Sequence, residues 1–443
     1  MSCAVAYDLT RLFLGPLSTS PRGIDRVDLV LAQHFFADGA SPHLGILPTP
    51  WGIRAFPAGM VRRGLDHLRE LWAEQIDESA DSVWATLRAV LGAGSAQMPA
   101  CTPPQKAPQQ GKAARMFAHL RRTGIAPGQS AVRQVPRGAA YLNVGQIGLA
   151  VPLFHRWLSR RADIAAVVML HDAIPLDYPQ LVEPGSVAHH GRMIATAARH
   201  ADGIVTTTEH AAQSVSSALG RLGRWQVPTC VRALPLHDAF ALPRHSHPDL
   251  AGAHYFVTCS TVEPRKNHAL LIECWGRLVA QMGAGAPHLV IAGAPGWNAG
   301  AILALAADPA LRGRVHHVTG LSSPALAQLM LGAAAVLCPS LAEGFGLTLL
   351  EANALGVPTI ASDIGAHREV ANATTHLLPP DAADQWTQAI AACPPAHPRL
   401  TPALPATLSG EAYCNDIAAF LARCASAKNG KDTVARNEGG TRP

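Results

Sequence analysis

Short apolar runs recur along the chain and alternate with stretches of helical spacing. The runs at 3–7, 44–47, 141–144, 165–170 and 203–207 have the length and continuity of strands buried on both faces. Between them, 24–37 and 187–200 repeat apolar residues at helical intervals. From 254 onward the alternation is regular. Strand-like Tyr255–Cys259, His288–Ala292, 315–319, 335–338 and Thr359–Ser362 are separated by helical 267–281, 299–306, 323–331 and 347–355, with a last pair near 375–391. Strands spaced by helices of this length predict a parallel, Rossmann-like sheet. The Pro- and His-rich connector 235–250 reads as an interdomain hinge. The fold class expected is therefore α/β, with Rossmann-like domains over 1–240 and 241–410 facing each other across a cleft. Residues 411–443 follow as a helix over 411–423 and a disordered tail from 425.

Hydrophobic residues make up 48% of the 443 and charged residues 15%, enough to bury a sizeable core. The 38 glycines and 35 prolines are spread widely, which suits many short connections and excludes collagen-like or coiled-coil chains. The start meets an acid at Asp8 and has no basic flank, so it reads as a first strand and not as a signal peptide. No apolar run reaches the ~18 residues that span a bilayer. Nine cysteines without a Cys-x-x-Cys pair argue against a disulfide framework and a structural zinc site, and a cytoplasmic location is expected. The net charge of +5 hides an asymmetry: 82–162 holds eleven Lys and Arg and no acid. Its centre, 91–138, is rich in Pro, Gln, Gly and Arg and reads as a basic insertion in the first domain. Such a segment attracts anionic lipid, and an anionic inner-membrane surface is one expected partner. With few aromatics and no recognition module in it, nucleic acid is not expected.

Candidate chemistry clusters at strand-to-helix junctions. Glu343-Gly344-Phe345-Gly346-Leu347-Thr348-Leu349-Leu350-Glu351 follows one strand and opens a helix. Gly344 and Gly346 let the backbone approach a ligand closely, and the free N–H groups of the helix start favour an anion or a sugar oxygen. Eight helical residues would separate Glu343 from Glu351 by ~12 Å, so they would contact different parts of one extended ligand. Arg265 and Lys266 stand at a second junction, where cations oppose the helix dipole and a diphosphate would offset the opposition. His171-Asp172 ends an apolar strand at the carboxyl edge of the first sheet, where a ligand in the cleft would meet it. Gly23 opens the first helix and suits an approach to phosphate. There is no Gly-x-Gly-x-x-Gly, Walker A, His-Glu-x-x-His or Gly-x-Ser-x-Gly sequence. Nor is there an Asp-x-Asp to clamp a metal–diphosphate, so neither metal nor cofactor is expected.

Taken together, these stretches resemble the retaining glycosyltransferases of family 4, which have the GT-B fold. The resemblance rests on Arg22 to Val27, His171 to Pro175, Thr207-Thr208-Glu209, Thr261 to Asn267, Ala292 to Trp297, and Glu343 to Glu351. It implies that Lys266, with Arg265 beside it and Gly23 nearby, binds the donor diphosphate. Glu351 would hold the ribose hydroxyls, Glu343 the transferred sugar, and His171 would sit at the reacting centre. Gly344, Phe345, Gly346, Leu347 and Thr348 would line the donor pocket. Many relatives carry an Arg where this chain has Thr261. Within the family the stretches are similar to bacterial mannosyltransferases of O-antigen and exopolysaccharide synthesis. That implies a nucleotide-diphosphate sugar donor, GDP-mannose favoured, and a glycan or polyprenyl-diphosphate-linked acceptor. The alternative is a GT-B subunit that binds nucleotide sugar or a partner transferase without turnover.

Overall fold

A computed structural model describes residues 3–14, 23–38, 42–73, 81–92, 128–242, 244–311, 313–396, 399, 401–402 and 408–438. The apolar runs of the first half become β1 (Val5–Asp8), β2 (Leu44–Thr49), β5 (Ala140–Asn143), β6 (Ala165–Met169) and β7 (Ala201–Thr206). They are joined by β3 (Gly52–Pro57), β4 (Gln129–Ser130) and β8 (Thr229–Val231), which the apolar pattern does not announce. Gly52–Pro57 carries Arg54 and ends in proline, so it has no continuous apolar run. It forms because a tight turn at the exposed Trp51 folds it back antiparallel onto β2. The strand order is β4-β3-β2-β1-β5-β6-β7-β8, parallel from β2 to β8.

Helices α1 (Gly23–Phe35), α2 (Ala58–Ala73), α3 (Ser82–Gly92), α4 (Pro184–His200) and α5 (Glu209–Gly220) belong to this half of the chain. In α1, Val27, Leu31 and Phe35 recur every four residues and form the buried stripe against the sheet. Helix α3 instead crosses to the second domain: Trp84 packs edge-on against His247, and Arg88 Nη1 donates to Asp249 Oδ2 at 2.9 Å.

The second sheet contains β9 (Tyr255–Cys259), β10 (His288–Ala292), β11 (Val315–Val318), β12 (Val336–Cys338), β13 (Thr359–Ser362) and β14 (Thr375–Leu378). All its pairings are parallel, in the order β11-β10-β9-β12-β13-β14. This is the doubly wound order in which the chain reverses direction between the first strand and the fourth. A crevice for ligands opens at that reversal, outside the carboxyl ends of β9 and β12. Helices α6 (His268–Met282), α7 (Ser323–Leu331), α8 (Leu347–Ala354) and α9 (Gly365–Val370) flank the sheet. The connector 235–250 is packed, with Leu236, Phe240 and Leu250 buried in a hydrophobic cluster that runs through both domains.

Helix α10 (Gly410–Glu438) returns to the first domain, where Tyr413, Ile417, Phe420, Leu421 and Cys424 are buried. Over 425–438 a helix forms in place of the expected disordered tail, and 439–443 lie outside the described residues. Ala425 is buried and Lys428 Nζ lies 2.6 Å from Asp202 Oδ1, so the helix gains contacts that carry it on to Glu438. Most of the basic insertion 91–138, namely 93–127, lies outside the described residues.

Candidate active site

The carboxyl end of β9 runs through Ser260–Glu263 into a 3-10 turn, Pro264–Lys266. Asn267 follows with φ 56° and ties the turn down by donating from Nδ2 to the carbonyls of Pro339 (3.1 Å) and Pro380 (2.8 Å). This clamp sets Arg265 and Lys266 beside the carboxyl end of β12. There Glu343 receives Lys266 Nζ, Arg265 Nη1 at 3.2 Å and Ser340 Oγ at 2.7 Å. Burial works against the charge on Glu343, but Lys266 and then Arg265 outweigh it and hold the carboxyl well below the usual carboxylate range.

Arg265 is engaged on three sides, by Glu343, by Glu263 at 2.7 Å and by the Ala342 carbonyl at 2.8 Å. It is a fully neutralised strut, and Lys266 is the more available of the two expected phosphate cations. Helix α8 begins only at Leu347, after Gly346 at φ +99°. Glu343 therefore sits in the turn before the helix, and a helical separation from Glu351 does not apply.

From the first domain, His171 follows β6 and faces the same space. Together with Gly23, Arg265, Lys266, Glu343 and the segment Gly344 to Thr348 it lines a cavity of about 380 Å³ between the domains. Burial, with Arg11 adding to it, pushes the imidazole of His171 down to about 4, so it is neutral at pH 7. Its Nε2 is buried without a protein partner. The N-termini of α1 and α8 meet across the cavity, where a Cβ at Gly23 would lie 2.9 Å from Leu347 Cδ2. Two helix starts and Lys266 thus supply its positive potential. Thr348 contributes its backbone, since its hydroxyl donates to the Cys259 carbonyl at 2.8 Å. Pro21 and Arg22 lie outside the described residues.

Gly344 has a structural reason that the ligand-approach argument did not contain. A Cβ there would sit 2.6 Å from the His171 carbonyl oxygen. The Gly344 carbonyl accepts from Thr207 Oγ1 (2.9 Å) and Thr208 Oγ1 (2.8 Å), and Glu369 accepts from the backbone N–H groups of Glu209 and His210 at 2.7 Å each. The Thr207-Thr208-Glu209 stretch is therefore where the first domain docks on the second.

Glu351 does not line this cavity. It is buried and faces a neighbouring cavity of about 480 Å³ that shares Gly23 and Leu347 with the first. Burial pushes its carboxyl up to about 7, against the pull of Arg26, whose Nη1 lies 3.8 Å from Oε1. Arg26 and Thr207 stood in stretches that the sequence reading quoted but carried no assigned role there, and Ser340 escaped it, because a lone Ser after a strand has no spacing signal. Among the described residues no group of His, Cys, Asp and Glu has the makeup of a metal site.

Two Rossmann-like domains with a cation, a buried acid and two helix starts facing an imidazole across the interdomain cleft define the GT-B class of fold. The crystal structure of Anabaena Alr3699/HepE in complex with UDP and glucose aligns over 98% of this chain and 100% of that one, at 15% identity and a TM-score of 0.51. Residues 253–393 match the family described as Glycosyl transferases group 1. Serotype-specific mannosyltransferase WbdA of Escherichia coli is 27% identical over 227 residues, covering 48% of this chain and 28% of WbdA. O-antigen chain mannosyltransferase B of Escherichia coli is 30% identical over 137 residues, covering 31% of this chain and 36% of the relative. The matched part of the chain thus spans well under half the length of either relative.

Proposed function

We propose that this chain is a retaining glycosyltransferase that needs no metal. It moves a sugar, mannose favoured, from a nucleoside-diphosphate sugar to a glycan or polyprenyl-diphosphate-linked acceptor in cell-surface polysaccharide synthesis. The observation that carries the reading is the pairing of Lys266 with Glu343 opposite a neutral His171 in one interdomain cavity. Lys266 and the helix starts at Gly23 and Leu347 take the diphosphate. Glu343 and His171 take hydroxyls of the transferred sugar, and Glu351 takes the ribose in the adjoining cavity. The bond from the anomeric carbon to the diphosphate oxygen breaks with its electron pair on the diphosphate, and Lys266 stabilises that growing charge. The acceptor hydroxyl attacks the same face of an oxocarbenium-like sugar, and its proton passes to the departing diphosphate. Arg265 supports the site by anchoring Glu343.

The names of the two Escherichia coli relatives favour mannose, and GDP-mannose as donor. The acceptor enters from the first domain, where the carboxyl ends of β1 and β5 flank a cavity lined by Arg11, Gln146, His189 and His190. Arg133, Arg137, Arg156 and Arg160 are exposed, as are Val151 and Leu153, and their charge supports attraction to an anionic inner-membrane surface. Incubation with GDP-mannose, UDP- and dTDP-sugars and polyprenyl-diphosphate-linked glycans, with NMR of the product anomer, tests the reading. A product keeping the donor's anomeric configuration supports it; an inverted product, or no transfer from any donor, overturns it.

A further inference from the structure

The second cavity holds a residue that the donor reading leaves without a task. Arg26 enters it from α1 of the first domain and meets two groups of the second. Nη2 donates to Ser323 Oγ at 2.6 Å, and Nη1 lies 3.8 Å from Glu351 Oε1. Its Nε is buried with no acceptor in the protein, so the guanidinium is not held there by a full set of hydrogen bonds. Around it the walls are mainly apolar, including Val30, Trp72, Leu236, Leu321 and Pro324. A carboxylate in such surroundings keeps its charge only beside a counter-charge, and it must be charged to accept from two neighbouring hydroxyls at once.

We propose that Arg26 is a positioning residue for the nucleoside half of the donor: from the first domain it draws the Glu351 carboxyl toward the cavity and favours its charge, so the nucleoside is gripped only when the first domain is closed on the second. The proposal rests on the donor reading above. The groups nearest Glu351 are Arg26 from α1, Cys259 at the end of β9 and Cys338 on β12, while Arg69, His237, Asp238 and Arg244 line the rest of the same cavity. Burial pushes the Cys259 thiol up to about 12 and the Cys338 thiol up as well, so neither exchanges charge with Glu351 near neutral pH. Among these cavity residues Arg26 is the permanent charge that pairs with Glu351, at 3.8 Å.

Calorimetric titration of the full chain with GDP, UDP and inorganic diphosphate between pH 6 and pH 9 tests this, for wild type, Arg26→Gln, Arg26→Lys and Glu351→Gln. In Arg26→Gln a one-unit rise in the Glu351 titration leaves about a tenth of it ionised at pH 7 against half in the wild type, so the affinity for the better nucleotide should fall about fivefold at pH 7 and recover toward wild type at pH 9. Its affinity for inorganic diphosphate should stay within about twofold, because Lys266 is untouched. Arg26→Lys should keep the wild-type pH profile, and Glu351→Gln should bind nucleotide weakly at every pH. An Arg26→Gln affinity equal to wild type, or reduced equally at all pH values, overturns the role of Arg26 alone. A wild-type chain that binds neither nucleotide more tightly than inorganic diphosphate overturns the donor reading as well. If Arg26→Gln does not fold, Arg26→Lys carries the test: loss of the wild-type pH profile overturns the proposal.

Discussion

Glu343→Gln separates the two tasks that the site assigns to this acid. Glu343 neutralises Lys266 and Arg265, and its contact with Arg265 Nη1 is 3.2 Å. Each such attraction is on the order of 4 kcal/mol at an effective dielectric of ~20. The carboxylate also escapes its own burial penalty when it is removed, so the net loss in folding stability should be ~3 kcal/mol, as for breaking other buried pairs. An anion held by Lys266 sits ~6 Å from the missing charge and is relieved of ~3 kcal/mol of repulsion at that dielectric. With half of this screened by solvent in the open cleft, inorganic diphosphate should bind about tenfold more tightly. Sugar transfer should fall, because the contact to the sugar is lost with the charge. Calorimetry with inorganic diphosphate, paired with thermal unfolding with and without it, reads both effects. Unchanged or weaker diphosphate binding by a folded Glu343→Gln protein would refute the charge argument, since Lys266 would then have been free of Glu343 from the start.

Other consequences are as direct. Lys266→Ala should raise the barrier to transfer by ~3 kcal/mol or more, the scale of one electrostatic donor at a developing charge, and near-normal turnover would contradict its assignment. Thr207→Val removes one interdomain hydrogen bond and should lower stability by ~1 kcal/mol, while Thr208→Val also removes the cap of α5 and should lose ~2 kcal/mol. No loss from either variant in denaturant titrations would argue against the docking role, and equal losses against the added cap. His171, His237, His268, His288 and His316 are each pushed down to about 4, mainly by burial, so the unfolded chain binds their protons first. Buried Asp28 and Glu351, pushed up to about 8 and about 7, act in the opposite direction but are fewer. Stability should therefore peak near pH 6.5, be lost as pH falls through about 4, and decline by a smaller amount between pH 7 and 8 as Glu351 and Asp28 ionise; a melting temperature constant from pH 7 to pH 4.5 would contradict this. Finally, the chain should float with anionic liposomes, less so at high salt, and equal recovery with neutral liposomes would remove the membrane attraction.

The alternation of apolar runs with helical spacing was enough to read two Rossmann-like domains from the chain, because strands buried on both faces and helices with one apolar stripe impose different periods. The motifs at Arg265-Lys266, Glu343 to Thr348, His171 and Gly23 were legible for the same reason, since each stands at a strand-to-helix junction that topology turns toward the cleft. What the order of residues could not decide is how those side chains share their charges. Glu343 lies next to Lys266 only because β12 pairs with β9, which partly offsets a positive site that looked unopposed. Gly344 is a glycine for the approach of the other domain, and Glu351 opens into its own cavity against Arg26, 325 positions earlier. Such pairings depend on distances set by the closed arrangement of two domains, and charge and burial act through distance in space, to which separation along the chain is blind.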